Sequence, residues 1–272
     1  MTALRCTRQW LLVLVVSAIA VCAHAQAPAT QEFTPSVGQS GKDVVWVPSP
    51  QALVDKMLDM AKVTSADFVM DLGSGDGRTV ITAAKRGTRA LGIEYNPDMV
   101  ALSRRNAAAA GVSGRATFAQ ADIFQSDFSQ ATVITLFLLT DLNLKLRPTL
   151  LSLKPGTRVV SNTFKMGEWE PDQVFELGCD TYCTAYLWIV PARVEGKWQL
   201  PQGELMLNQE FQKITGTLKT GASSVQLSGG RLRGDEISFV ADGAEYNGRV
   251  SDRVMQGAFK NGGNTTAWSA RR

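Results

Sequence analysis

The chain has one histidine, His24, and four cysteines, and both scarcities narrow its chemistry. Arg5 and Arg8 precede an apolar run over residues 10–21, and Ala23-His24-Ala25 offers small residues at the two positions a signal peptidase reads, so residues 1–25 read as a secretory signal. The run of about a dozen residues is short for a helix crossing a hydrocarbon core of about 30 Å, so no membrane span is expected after cleavage. Val21 before Cys22 is larger than lipoprotein processing accepts. Cleavage after Ala25 removes the histidine, and a chain without imidazole has no Ser-His or Cys-His hydrolytic centre and little zinc chemistry. No metal site is expected. Two arginines and no acid leave with the signal, taking the formal net charge from +3 to +1. The basic residues are spread rather than clustered, so a nucleic-acid partner is not expected. Cys179 and Cys183 remain, in Cys-Asp-Thr-Tyr-Cys, with no other Cys or His to complete a metal site. In an exported, periplasmic protein such a pair is expected to close a small disulfide, the alternative being two free thiols at a loop.

What is present is organised around residues 68–77. Phe68-Val69-Met70 is an apolar run too short for a helix, Gly73, Ser74, Gly75 and Gly77 break it, and a helical run follows over 78–86. A strand, a glycine loop and a helix N-terminus bring backbone N–H groups together, which suits a carboxylate or phosphate. Asp71, just before the glycines, would repel a phosphate and pair with an ammonium. An amino-acid head group, carrying both a carboxylate and an ammonium, therefore suits the loop better than a pyrophosphate. The next strand, 90–93, ends in Glu94, placed to accept from both hydroxyls of a ribose. A third, 116–119, leads to Asp122-Ile123, where the carboxylate would take the exocyclic amine of adenine and the isoleucine would cover the ring.

These stretches, Asp-Leu-Gly-Ser-Gly-Asp-Gly at 71–77, Gly-Ile-Glu-Tyr-Asn-Pro at 92–97 and Ala-Asp-Ile-Phe at 121–124, resemble the class I methyltransferases that use S-adenosylmethionine (SAM). Val47-Pro48-Ser49-Pro50, Asn143-Leu144-Lys145-Leu146-Arg147-Pro148 and the run 153–161 are similar to the seven-strand lysine methyltransferases of mitochondria, which modify the ATP synthase c subunit and the adenine nucleotide translocase and have bacterial relatives. The likeness covers about residues 44–190, and the family's Leu-Leu-Pro is Leu138-Leu139-Thr140 here, at the expected substrate mouth. It implies an α/β, Rossmann-like sheet closed by an antiparallel hairpin, with Asp71, Gly73, Ser74, Gly75, Gly77, Glu94, Tyr95, Asp122 and Ile123 around SAM. It also implies methyl transfer to an acceptor, foremost a protein lysine amine, a small molecule being the other class of acceptor. An exported protein that binds a nucleoside-like ligand without transfer is the alternative.

In chain order, residues 26–43 read as a flexible lead-in and 44–192 as the methyltransferase domain. Ser49 is expected to cap a helix that starts at Pro50 and buries Leu53, Val54, Met57, Leu58 and Ala61. Strands and helices then alternate: strand 132–138, helix 142–153, strand 157–162. Segments 174–177 and 185–190 flank the cysteine turn as a hairpin. From 193 to 272 short strands between Gly, Asn and Asp turns predict a smaller all-β C-terminal domain, a sandwich or barrel. An acceptor would approach residues 139–143. Asp141 and Asn143 are the candidates for catalysis there, with Thr163, Phe164 and Trp169 on the opposite wall, Asp141 serving equally as a helix cap. Asn162 and Lys165 read as ordinary polar surface. Oligomeric state leaves no mark on the sequence.

Overall fold

A computed structural model describes residues 32–272, with Thr2 alone before them, so the expected signal over 1–25 falls, but for Thr2, outside the described residues. The first sheet has seven strands in the order β3-β2-β1-β4-β5-β7-β6. They are β1 (Phe68–Leu72), β2 (Arg89–Glu94), β3 (Ala116–Gln120), β4 (Val133–Leu136), β5 (Arg158–Asn162), β6 (Gln173–Glu176) and β7 (Thr184–Ile189). Strands β1 to β5 pair in parallel, and β7 enters antiparallel between β5 and β6. Four helices accompany them among the described residues, α1 (Gln51–Met60) ahead of β1 and α2 (Arg78–Lys85), α3 (Pro97–Ala109) and α4 (Thr140–Leu150) between strands. The central strands are buried on both faces, which is why β4 reads Val-Ile-Thr-Leu without alternation. On α1 the residues Leu53, Val54, Met57 and Leu58 are buried, with Ala61 just past its end, as their spacing predicts.

Ser49 does not cap α1. Pro50 precedes the helix without a side-chain cap, while Ser49 Oγ accepts from Asn162 Nδ2 at 3.0 Å and the Ser49 carbonyl from Arg78 Nη1 at 2.7 Å. A proline at that position supplies the turn geometry unaided, which releases the serine to tie the chain to the end of β5. Asn162 is accordingly buried, not surface. Residues 36–43, read as flexible, are held in a turn by Gly38 N–H to Trp46 O, Trp46 N–H to Gln39 O and Gly41 N–H to Val44 O, each 2.9 Å. Their composition is that of a linker, yet three backbone bonds fix them as a strap.

The second sheet holds β8 (Gly196–Leu200), β9 (Gly203–Glu210), β10 (Lys213–Thr220), β11 (Ser223–Gln226), β12 (Ser228–Arg233), β13 (Glu236–Ala241), β14 (Ala244–Ser251), β15 (Val254–Asn261) and β16 (Asn264–Arg271). Its order is β11-β10-β12-β13-β14-β15-β16-β8-β9, and β9 pairs back onto β10, so the sheet closes as an antiparallel barrel with β11 on its outside. Trp198, Leu207, Ile237, Phe239, Met255 and Trp268 fill the interior. Trp268 is a core residue donating to Asn247 O at 3.1 Å. Sequence reading missed β8, a hairpin partner with few β-branched residues, and β12, whose Gly229-Gly230 carries a register shift.

The barrel rests on the loop between β5 and β6. Phe211 stacks on Trp169 with ring centroids 6.2 Å apart, Gln212 Nε2 donates to Glu170 O at 2.7 Å, and Arg231 pairs with the buried Asp172 carboxylate at 2.7 Å. Trp169, expected on the acceptor wall, is fully buried beneath Phe211 instead.

Candidate functional site

A cleft of about 370 Å³ opens at the carboxyl ends of the parallel strands, where a sheet of this topology exposes strand-end residues to one side. Sheet order sets its layout: β3 and β2 form one end, β1 the middle, β4 and β5 the other end. Asp71, Gly73, Ser74, Gly75, Glu94, Tyr95, Asp122 and Ile123 all border it. Gly77 does not. It adopts φ +82° at the start of α2, and a Cβ there would meet Phe118 at 2.8 Å and Ser103 at 2.9 Å, so its role is to let the helix approach the sheet.

Asp71 is the electrostatic centre. Its side chain is 6% exposed and Oδ1 accepts from the Thr135 hydroxyl at 2.6 Å. Burial, opposed by that hydroxyl bond and reinforced by the nearby charges of Glu94 and Asp76, pushes its pKa up to about 7. A carboxylate held at this cost fits a cationic partner. Glu94 accepts from Gly75 N–H at 3.0 Å with one oxygen and from Asn96 N–H at 2.9 Å with the other, so it shapes the glycine loop as well as facing the cleft.

Four of that loop's backbone N–H groups are committed internally. Gly73 and Ser74 both donate to Ile93 O, at 2.8 and 3.0 Å, Gly77 donates to Ser74 O at 2.9 Å, and Gly75 donates to Glu94. The expected cradle of free N–H groups is thus a tie between β1 and β2, and the glycines serve close approach. Among the described residues the buried Ser74 hydroxyl has no partner at the cleft wall, a donor open to a ligand carboxylate. Asp76 and Arg78, beyond opening α2, form an ion pair that also borders the cleft.

Residues 39–47 form a wall that sequence reading did not foresee, and Pro48 and Ser49 border the cleft beside it. Trp46 lies over Gly75, its Nε1 2.8 Å from where a Cβ would stand, so Gly75 makes room for the indole. Lys42 Nζ reaches Asp122 Oδ2 at 2.6 Å and sits 4.7 Å from the centroid of the Tyr95 ring. That bond holds the Asp122 carboxyl below its ordinary range, and Oδ1 accepts from Phe124 N–H at 2.9 Å. A base amine would therefore share Asp122 with Lys42. The available signal was Val44-Val45-Trp46-Val47, an apolar run ahead of a proline within a polar lead-in.

At the other end the wall is Phe137, Leu138, Leu139, Leu142, Phe164 and Tyr182. Neither catalytic candidate borders the cleft. Asp141 is exposed in the first turn of α4, whose cap position falls on Leu139, so it neither caps the helix nor faces the cavity. Asn143 is fully buried and donates through Nδ2 to Phe164 O at 3.1 Å, placing the segment that carries Phe164. Thr163 lies outside the lining, with φ +62° at the bend that turns Phe164 inward. Cys179 and Cys183 form the expected disulfide, and Tyr182 lies within it. No group of three or more His, Cys, Asp or Glu that could hold a metal occurs among the described residues.

The cleft thus offers a buried carboxylate at its middle, a second carboxylate and an aromatic ring towards β2 and β3, and an apolar mouth at β4 and β5. This fits an amino acid joined to a nucleoside. The profile of the ANTKMT methyltransferase domain matches residues 71–173. A protein-lysine N-methyltransferase of Saccharolobus islandicus (strain REY15A) is 43% identical over 151 residues, which make up 54% of this chain and 94% of that protein. The chain belongs to the ANTKMT-type methyltransferases. The human lysine N-methyltransferase of the ATP synthase c subunit is 36% identical to this methyltransferase over 137 residues, 50% of the chain, and the match spans only 58% of the human protein. A crystal structure described as an RNA methyltransferase from Salinibacter ruber in complex with S-adenosyl-L-homocysteine superposes with a TM-score of 0.52 at 49% identity, covering 54% of this chain and 96% of that one. Membership makes the chain a methyltransferase dependent on SAM, and the buried Asp71 and the unpartnered Ser74 hydroxyl suit that cofactor's ammonium and carboxylate.

Proposed function

We propose that this methyltransferase moves the methyl group of SAM to the ε-amine of a lysine in a protein acceptor, and that it works outside the cytoplasm. The likeness to the archaeal protein-lysine N-methyltransferase over 94% of that protein carries the reading. Asp71 holds the cofactor's ammonium, Ser74 its carboxylate, Glu94 the ribose hydroxyls, and Tyr95, Asp122 and Ile123 the adenine. The bound cofactor supplies an electrophilic methyl on a sulfonium, whose charge disperses as the methyl leaves. The protein's part is to align the acceptor and exclude water. An attacking amine must be neutral, and the apolar wall of Phe137, Leu138, Leu139 and Phe164 favours the neutral form by withholding solvent. No imidazole is needed.

The Salinibacter structure favours a second reading, RNA as acceptor. Five acidic residues, Asp43, Asp71, Asp76, Glu94 and Asp122, border the cleft against Lys42 and Arg78, a balance that does not suit a polyanion. The two separate in one assay. With labelled SAM and either envelope protein or total RNA, label is expected in protease-sensitive material that yields methyl-lysine on hydrolysis. Label released by ribonuclease would replace the lysine reading with the RNA one.

The oxidised pair Cys179–Cys183 supports the compartment, because disulfides persist where the glutathione pool does not reach them. Intact mass of the protein recovered from the producing cell is expected to correspond to a chain beginning at Gln26 with both thiols oxidised. A cytoplasmic chain that retains residues 1–25 and free thiols would overturn export.

A further inference from the structure

Three aromatic rings converge at the mouth of the cleft, from three separate parts of the chain. Phe137 follows β4, Phe164 follows β5, and Tyr182 stands in the turn between β6 and β7. Ring centroids are 5.3 Å apart for Phe137 and Tyr182, 6.1 Å for Phe137 and Phe164, and 6.3 Å for Phe164 and Tyr182. All three border the cleft and none is a core residue, Tyr182 being 39% exposed. The acidic residues of the lining lie elsewhere, at the ends of β1 and β2, in the strap, in the glycine loop and after β3. A partly exposed aromatic cluster is costly to leave facing water unless a ligand covers it. Ring faces carry negative potential and attract an alkylammonium, more strongly when its charge is spread over methyl groups and weakly hydrated.

Each outer ring is held in an unusual backbone. Thr163 has φ +62°, and the Phe164 carbonyl accepts from the buried Asn143 amide. Tyr182 itself has φ +56°, a conformation few side-chain-bearing residues adopt, and it lies one residue before Cys183 in a turn closed by the disulfide and by Leu177 N–H to Cys183 O at 2.8 Å.

We propose that Phe137, Phe164 and Tyr182 form a collar through which the acceptor's amine side chain enters, and that the Cys179–Cys183 bond keeps Tyr182 in it. The proposal deepens the lysine reading and rests on it for the identity of the amine. The collar guides the stem of the side chain, shields the neutral amine from water, and accepts the ammonium formed when the amine nitrogen bonds to the methyl carbon and the carbon–sulfur bond breaks to leave a neutral thioether. That ammonium gives a proton to solvent at the mouth before the amine takes a further methyl.

The test uses the full chain saturated with S-adenosylhomocysteine and Nε-trimethyl-lysine amide as the ammonium probe, titrated by NMR. Tyr182→Ala and Phe164→Ala are each expected to weaken the probe about tenfold, Tyr182→Phe to bind as wild type, and the double variant Cys179→Ser, Cys183→Ser to lose about threefold or more. Affinity for S-adenosylhomocysteine, measured in parallel, is expected to stay within about twofold and so reports folding. A wild-type complex that does not bind the probe, or alanine variants that bind it undiminished, would overturn the collar. A serine double variant equal to wild type would overturn the role of the disulfide. Absence of methyl-lysine in the transfer assay, with probe binding intact, would remove lysine as the acceptor and leave the collar to another amine.

Discussion

Replacing Asp71 with Asn is expected to make the ligand-free protein more stable at pH 8 and to abolish useful affinity for SAM. The native Asp71 titrates near 7, raised from an ordinary 3.8, chiefly because its carboxylate is buried. Between those two values the folded state holds more protons than the unfolded state, so stability falls as pH rises through the window and stays at its lower level above 7. A displacement of about three units corresponds to at most roughly 4 kcal/mol. Asparagine is nearly isosteric, carries no charge and can still accept from Thr135. In thermal unfolding at pH 8 the variant should melt several degrees above wild type, at about 2–4 °C per kcal/mol for a chain of this size. The two curves should converge only below about pH 3, where the wild-type carboxyl is neutral in both states. Saturating SAM should reverse the order, because the ammonium offsets the buried charge only in wild type. By the same linkage wild-type affinity for SAM should fall by up to about tenfold per unit below pH 7. Loss of the buried partner should cost the variant about two to three orders of magnitude in affinity. A variant no more stable at pH 8 than at pH 5, relative to wild type, would show that Asp71 is not held ionised against its surroundings. A site that sacrifices stability in its empty state is one built for a cationic ligand.

Most of the first sheet was legible because its signals are local. Phe68-Val69-Met70 before a glycine loop, Gly92-Ile93-Glu94 and the helix faces of 53–61 depend only on neighbours in sequence, and Asp71 and Glu94 at the two strand ends border one cleft. What was not legible depends on partners far along the chain. Residues 36–43 look like a linker because nothing local pins them, and the bonds to Gln39, Trp46 and Asp122 that turn them into a wall cannot be read from composition. Ser49 preceding Pro50 carries every local mark of a cap, and it was drawn away by Asn162, 113 residues later. The glycine loop was placed correctly and its donors were not, since only the return of β2 alongside β1 brings Ile93 O within reach of Gly73 and Ser74. The acceptor side fared worst. Polar residues near a strand end were chosen for chemistry, and the fold put Asp141 outside the cleft and Asn143 beneath it. Of the aromatic wall that stands there, Phe164 was expected, while Phe137 and Tyr182 come from two other segments and are not informative alone.

Glu94 is expected to be as intolerant of glutamine as of alanine. Both of its oxygens accept backbone N–H bonds, from Gly75 and from Asn96, and only a carboxylate can accept at both ends. A glutamine would set its NH₂ against one of those N–H groups, leaving two donors facing each other, so the loop must shift whichever way the amide turns. Hydrogen bonds to charged groups contribute about 1.5–3 kcal/mol each. Losing one at the loop, together with the alignment of the ribose acceptor, should weaken S-adenosylhomocysteine by about a hundredfold in Glu94→Ala and nearly as much in Glu94→Gln, read by calorimetry. A glutamine variant within about threefold of wild type would mean that the carboxylate is needed neither by the loop nor by the ribose. The same substitution also reports on Asp71, because the charge of Glu94 is one of the causes that raise its pKa. Removing that charge should move the pH midpoint of wild-type-like behaviour in ligand-free stability downward from 7, and Asp71→Asn should then confer a smaller gain in the Glu94→Gln background than in wild type. Equal gains in the two backgrounds would show the carboxylates to be uncoupled. Unequal gains would make them one unit, in which the carboxylate at the end of β2 also sets the charge of the carboxylate at the end of β1.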